Sequence, residues 1–493
     1  MLPIWRAFVP LLFFAATGAV LDRVLALDLG ASGSRPGRWA RWAMCGIVAC
    51  FAAALHPAVL GALIALALVG RLARKRPTGG PRLATPPSRS APRSPPWWGI
   101  AAAALTLVVV CRPATLTYWD GFVWLAKAKI ESGAWGALRA AALDQSTDVV
   151  PSGYPLLWPL AASWLSMSGR TMEALAAGAA AMTLVTLMLF LDTAADAAGV
   201  ARASGATAGP GASRGLAGAL GEPRWAALGL ALVGVTPLVF VHLRSSYADL
   251  PVGLLAATCT LRLVRSVESD GDSPGDLSVA AMTAVALAGI KDEGMAHVVA
   301  LVVALIAVKV WKLWEGQRLP LAPGIAVLAA AAIPFNGWRL LLASHRVIDA
   351  DHSLSRPDLH AAGAIGRAVL AHLADTRSWG ALWPIAFACA TLVLARSNTF
   401  RAATRMATFA FLAEGALLLS AIVCGPARVR VFAFEGTLIN RLLLQLAPAA
   451  GVMLMLALAD AAMAWQTVRR PGTTPLAVPA SPAPVPVLTR SSD

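Results

Sequence analysis

Asp120 is the carboxylate best placed for chemistry in this 493-residue chain, in the stretch TLTYWDGFVWLAKAKIESGAWGALRAAALDQSTDVVPSGYPLLWP at 115–159. It follows an apolar run, 97–110, with the look of a membrane span, and two lysines, Lys127 and Lys129, come shortly after it. Tyr118, Trp119, Trp124 and Trp135 surround these charges, as expected of a segment at headgroup level. A carboxylate just outside a span can take a proton from an acceptor hydroxyl, or hold a divalent ion that activates it. Lys127, seven residues on, shares the face of Asp120 if the segment is helical. Pairing of Lys127 with Glu131 at i+4 accounts for it as well, and an interfacial linker helix with ordinary anchors is the plain alternative for the whole stretch.

Three further positions carry charge beside apolar runs. Asp249, in RSSYADLP, sits at a junction of two spans, with Arg244 and Tyr247 beside it; Asp before Leu-Pro is also a good helix-start residue. Lys291-Asp292-Glu293-Gly294 interrupts two apolar segments, where three charges are costly unless they face water, protein or a phosphate. Lys291 suits a lipid phosphate. Arg441 opens RLLLQLAP and can snorkel or bind a phosphoryl oxygen. The loop 343–378 holds His345, His352, His360 and His372 with Asp349, Asp351 and Asp358. It lacks a tight ligand spacing such as HExxH and reads as an acceptor lid. A divalent metal is the one cofactor these patterns leave open. No P-loop and no nucleophile elbow occurs.

The elements that must position these residues are membrane helices. The chain is 58% hydrophobic and 14% charged, against about a quarter charged in soluble domains. The net charge of +15 lies in short connectors between apolar runs, a pattern of loops facing anionic lipid that argues against nucleic acid. The six cysteines sit in or beside apolar segments without a CxxC pair and read as small buried hydrophobes. The fold class expected is an all-α polytopic membrane protein with about twelve transmembrane helices. The spans fall near 4–26, 43–70, 97–113, 173–198, 225–243, 250–266, 278–292, 295–314, 320–342, 379–396, 402–424 and 440–464.

Residues 73–96, basic and Pro-rich, read as a cytoplasmic linker between two N-terminal helices (1–72) and the main body (97–465); 466–493 reads as a disordered cytoplasmic tail. Counted outward from that linker, the connectors near Arg202, Arg262 and Arg265, Lys309 to Arg318, Arg396 to Arg405, and Arg469 are cytoplasmic. The loop with Arg35, Arg38 and Arg41 is the exception. The count requires 154–171 to lie in the interface, within one large external loop, 114–172. Asp120, Asp249, Lys291 to Glu293, 343–378 and Arg441 then share the external face.

WDGFVWLAKAK, GYPLLWPLAASWL, YADLPVGLL, AGIKDEGM and NRLLLQLAP, in this order, resemble the GT-C superfamily of polytopic glycosyltransferases. The likeness is nearest to bacterial relatives of protein mannosyltransferases and aminoarabinose lipid A transferases, over about 97–465. It implies a multi-pass protein of the bacterial inner membrane that moves a sugar from a polyprenyl-phosphate donor to a lipid, glycan or protein acceptor on the external face, with inversion. Asp120 then becomes the general base or metal-associated carboxylate. Lys127, Lys129, Tyr154, Asp249, Lys291, Glu293 and Arg441 become substrate-binding residues, with Lys291 and Arg441 facing the donor phosphate. The chain carries a lone Asp120 where mannosyltransferases carry Asp-Glu, Ser152-Gly153-Tyr154-Pro155 in place of His-Pro, and EGTLIN before Arg441 without the aromatic-His pattern. The competing classes are a secondary transporter or lipid flippase, which calls for inverted repeats and broken helices, and a non-catalytic membrane scaffold.

Overall fold

A computed structural model describes residues 5–29, 35–74, 125–126, 128–129, 155–166, 171–206, 232–243, 245–268, 274–316, 319–345, 357–396 and 400–469. Among them the regular elements are all helices. In chain order they are α1 (Trp5–Leu25), α2 (Arg35–Leu55), α3 (Pro57–Arg74), α4 (Leu157–Leu165), α5 (Met172–Ala206), α6 (Pro237–His242), α7 (Asp249–Glu268) and α8 (Pro274–Ile290). There follow α9 (Asp292–Trp314), α10 (Ala322–Ser344), α11 (Leu359–Leu373), α12 (Thr376–Trp379), α13 (Leu382–Ala395), α14 (Ala402–Val423), α15 (Ala427–Phe434) and α16 (Thr437–Arg469).

Seven of these helices are long and apolar enough to cross a membrane, in α2, α5, α7, α9, α10, α14 and α16; α3, α8 and α13 hold shorter apolar stretches. This is the architecture of a polytopic membrane protein. The expected span 97–113 lies outside the described residues.

The bundle is arranged around α7. Its apolar stretch Asp249–Val267 is 94% buried, against 33% for that of α10. Helices α5, α8, α14 and α16 pack along it. The sequence permits this because α7 presents Gly253, Ala256, Ala257 and Cys259, small residues that let neighbouring backbones approach. Thr258 and Thr260 turn their hydroxyls onto the carbonyls of Leu254 and Ala256, at 2.8 and 2.9 Å, so neither leaves a polar group unmet. On α9, Val303, Ile306, Val310 and Leu313 are exposed at helical spacing, an apolar stripe of the kind that faces lipid.

Three expectations change. The run 43–70 is two helices, since α2 ends at Leu55, His56 stands between, and Pro57 starts α3. The reversal at His56 removes the topological exception, because the start of α2 and the end of α3 now share a side. Arg71 accordingly donates to the carbonyl of Val24 at the end of α1, 3.3 Å away. The run 225–243 is not one continuous helix over its described part. Thr236 is extended and Pro237 opens the six-residue α6, because proline has no N–H to continue the preceding turn. The described part of the expected lid 343–378 is helical, with Asp358 and Asp375 accepting from the N–H groups of Ala361 and Arg377 as N-caps of α11 and α12.

At the end of the bundle where α9 finishes, Glu315 meets Lys312 at 2.8 Å and Arg405 of α14 at 3.1 Å. Arg405 also lies over the Trp311 ring, 4.7 Å from its centre. Hydrogen bonds from Lys312 and Arg405 pull the Glu315 carboxyl down from 4.5 to about 2. A lowered acid stabilises the folded state above its unfolded value and loses that contribution as pH falls through the folded one. Wild type should therefore lose its thermal advantage over Glu315→Gln as pH falls from 4.5 to about 2, read from melting curves of the two proteins in detergent. The helix order makes a second prediction. In a cysteine-free background, Asp28→Cys and Arg74→Cys should react with an impermeant thiol reagent from one side of a sealed vesicle, and His56→Cys from the other.

Candidate functional site at the start of α7

Two close approaches build the site. Where α7 crosses α16, a β-carbon added at Gly253 would collide with the Gln445 carbonyl, so only glycine lets the helices meet there. The contact sets Gln445 beside Asp249, one turn before Gly253. At the second approach, α8 and α9 are joined by a single residue, Lys291, whose backbone is extended (φ −149°, ψ 155°). A β-carbon at Gly294 would strike the Leu287 carbonyl, so this glycine lets α9 turn back on α8 and drives the Lys291 side chain inward. Lys291 and Asp249 are both fully buried.

Asp249 is the hub. Its Oδ1 receives Lys291 Nζ at 2.7 Å and Gln445 Nε2 at 2.7 Å, and its Oδ2 receives Arg441 Nε at 3.2 Å. Glu293 Oε1 lies 3.5 Å from the same lysine. Asp292 pairs with Arg339 of α10 at 3.0 Å. Arg441 sits 6.0 Å above the Tyr247 ring, which packs edge-on against His242 at 4.9 Å. Trp158 of α4 donates to the Ser246 carbonyl at 3.1 Å, tying the expected interfacial segment to the residues just before Asp249. Asp249, Asp292 and Glu293 all lie in first helical turns, where the helix dipole favours a negative charge.

The arrangement limits what Asp249 can do. Its oxygens are engaged by an ammonium, a guanidinium and an amide, so it works as a fixed charge that holds Lys291 and Arg441 in place. The accessible part of the site is Arg441 and Glu293, whose side chains are 21% and 17% exposed. Four of the expected site residues, Asp249, Lys291, Glu293 and Arg441, are thus brought together. Lys129 is described and exposed. Asp120, Lys127, Tyr154 and Arg244 lie outside the described residues. Among the described residues no group of three or more His, Cys, Asp or Glu is placed to hold a metal. His345 and His360 are exposed and His352 lies outside the described residues.

Sequence reasoning missed what stands behind this site. His297 Nε2 lies 3.1 Å from Gln445 Oε1, and His297 Nδ1 lies 3.2 Å from Glu414 Oε2. The signal was present, since a histidine in the run 295–314 and a glutamate in 402–424 are ionisable groups inside membrane segments. Missed as well was a second ionic cluster at the other end of α7. Arg41 meets Asp192 at 2.6 Å; Arg262 meets Asp276 at 2.7 Å and Asp196 at 2.9 Å; Arg265 meets Asp276 at 3.3 Å. Arg41 and Arg262 are completely buried, so they are not connector charges at a lipid surface as expected. The notable charges gather at both ends of the bundle and not at one face alone. Three arginines against three aspartates neutralise each other there, and none of the described cysteines is in a disulfide.

No family model, curated protein or solved structure matches the chain.

Removing one partner of a buried ion pair strands the other, at about 3–5 kcal/mol. Lys291→Met should lower unfolding stability in mixed micelles by about that amount, and adding Asp249→Asn should restore part of it, a non-additivity read from a double-mutant cycle. Arg441→Met should cost less than Lys291→Met, because Lys291 and Gln445 still hold Asp249 and the Arg441 side chain is partly open to solvent. Gly253→Val should separate α7 from α16 and destabilise the protein more than Gly415→Val, which lies at a looser site on α14.

Proposed function

We propose that the chain is a membrane glycosyltransferase of the GT-C type, with about twelve spans, acting at the external face of a bacterial inner membrane. One observation carries the reading. YADLPVGLL, AGIKDEGM and NRLLLQLAP supply Asp249, Lys291, Glu293 and Arg441 to one cluster, and the segment holding YPLLWP is hydrogen-bonded next to it through Trp158. Segments scattered over about 300 positions of sequence and picked out by their likeness to one family thus meet in space. Leu125 and Ala128, from WDGFVWLAKAK, are buried in the same core as Leu157 and Trp158.

In this reading a polyprenyl-phosphate sugar keeps its lipid in the bilayer, so positioning it costs less entropy than for a soluble donor. The departing phosphate develops negative charge as the glycosidic carbon–oxygen bond breaks. Arg441 at the rim and Lys291 behind it offset that charge, and Asp249 keeps both cations aimed. Asp120 removes the acceptor's proton as the acceptor oxygen bonds to the anomeric carbon from the opposite face; were a divalent ion bound there, Asp120 would hold it and the ion would make the acceptor hydroxyl more acidic. The sugar is transferred to a lipid, glycan or protein acceptor.

A transporter or flippase is the second reading, favoured by the ionisable pair His297 and Glu414 inside the bundle. The two separate in one experiment. Purified protein is given a panel of polyprenyl-phosphate sugars and assayed for transfer, beside Asp120→Asn. Transfer by wild type and its loss in a normally folded Asp120→Asn supports the enzyme. Equal transfer by both removes Asp120 from the mechanism. No transfer, with movement of solute or lipid across vesicles, moves the protein to the second class.

A further inference from the structure

The hydrogen-bond line that runs inward from Asp249 has only one consistent direction. The side chain of Asp249, held by Lys291 and Arg441, is an ionised carboxylate and therefore accepts only. Gln445 must then present its amide nitrogen to Asp249, at 2.7 Å, and turn its carbonyl toward His297 Nε2, at 3.1 Å. A carbonyl cannot donate, so Nε2 must carry a proton. That leaves His297 Nδ1, 3.2 Å from Glu414 Oε2. That is an ion-pair distance, and neither Nδ1 nor either Glu414 oxygen has a hydrogen-bond partner among the described residues, although all three atoms are buried. The side chains of His297 and Glu414 are 0% exposed. A bare Nδ1 facing an ionised Glu414 would set two lone pairs against each other and leave a carboxylate unneutralised inside the bundle.

We propose that His297 and Glu414 form a proton-binding site within the helix bundle, holding one proton between Nδ1 and the carboxylate and linked through Gln445 to the charge cluster at the start of α7. The bound species is a proton, and the site does not depend on the glycosyltransferase reading. The other groups around it are accounted for. Asp249 and the buried thiol of Cys259 face it from α7, the latter donating to the Ala280 carbonyl at 3.4 Å. Lys291 stands at the α8–α9 junction, Glu293 one turn before His297 on α9, and Arg441 one turn before Gln445 on α16. Asp292 is turned to Arg339 on α10. Glu414, from α14, is the carboxylate in contact with the ring. Linkage runs both ways. If a ligand anion draws Lys291 and Arg441 off Asp249, that carboxyl can be protonated and donate, Gln445 is free to turn over, and the constraint on Nε2 lapses.

The test is spectroscopic and needs no substrate. The full-length protein, labelled with 15N-histidine, is examined in lipid nanodiscs at neutral pH, and the His297 signals among the seven histidines are assigned by loss in His297→Asn. Infrared difference spectra against Glu414→Gln report whether Glu414 is a neutral acid. The expected result is a protonated Nε2 together with one further proton, seen either as a protonated Nδ1 or as a neutral-acid carbonyl band that vanishes in Glu414→Gln. A bare Nε2 overturns the assignment, and so does the absence of both signatures or the presence of both. If Glu414→Gln does not fold, the wild-type nitrogen spectrum decides the Nε2 question alone, and Glu414→Asp supplies the band by its shift. The link through Gln445 is read from Gln445→Met, which removes the acceptor of the Nε2 proton. The His297 Nε2 signal should then shift, whereas a spectrum identical to wild type would exclude the link through Gln445.

Discussion

A helix buried on every side, with a charged residue near each end, is the constraint from which most of this architecture follows. Asp249 begins α7 and Arg262 lies in its last third, both withdrawn from solvent. An isolated buried charge costs far more than a fold can absorb, so each end needs partners brought by other helices. Lys291, Arg441 and Gln445 close one end, and Asp196, Asp276 and Thr193 close the other. Helix α8 serves both, with Asp276 in its first turn and Lys291 directly after its last residue. A helix pinned at two points this far apart cannot slide along its neighbour by a turn without breaking both sets of contacts. The register of α7 against α8 is therefore set by charge, while the apolar core supplies the area. Such pairs contribute little net stability over a well-packed hydrophobic alternative, and specificity of arrangement is the use that fits them here.

The legible part of the fold was what depends on composition. Long apolar runs appear as helices at nearly the expected places for α5, α7, α9, α10, α14 and α16, because crossing a membrane demands length and apolarity that few other structures share. The illegible part was governed by single residues. His56-Pro57 divides one apolar run in two, and Thr236-Pro237 interrupts another, in each case where a proline outweighs a hydrophobic average. The expectation that Asp249, Lys291, Glu293 and Arg441 share one face came from counting crossings, and their meeting is consistent with it. Their mutual distances could not come from a count, since they depend on the close crossing at Gly253 and the one-residue joint at Lys291.

The histidine and glutamate behind the site show a different failure. His297 and Glu414 sit in runs apolar enough to be taken for plain spans, and a sequence average passes over one ionisable residue among twenty. Arg262 and Arg265 misled in the opposite sense. Arginines near the end of a span are usually snorkelling anchors, and only the three aspartates on α5 and α8 turn these into interior groups. Whether a charge faces lipid headgroups or another helix is a property of the partner, and the partner is distant in sequence.

The one-residue joint at Lys291 also bears on how the chain enters the bilayer. With nothing between α8 and α9 to serve as a separate loop, the two must cross as a hairpin whose tip carries Lys291, Asp292 and Glu293. The tip brings a partial neutralisation with it, because Glu293 reaches Lys291 within its own turn, and α7, made earlier in the chain, already presents Asp249 at the destination. In the finished fold the Lys291–Asp249 pair ties the hairpin tip to the start of α7, so withdrawing the hairpin would strand two buried charges at once.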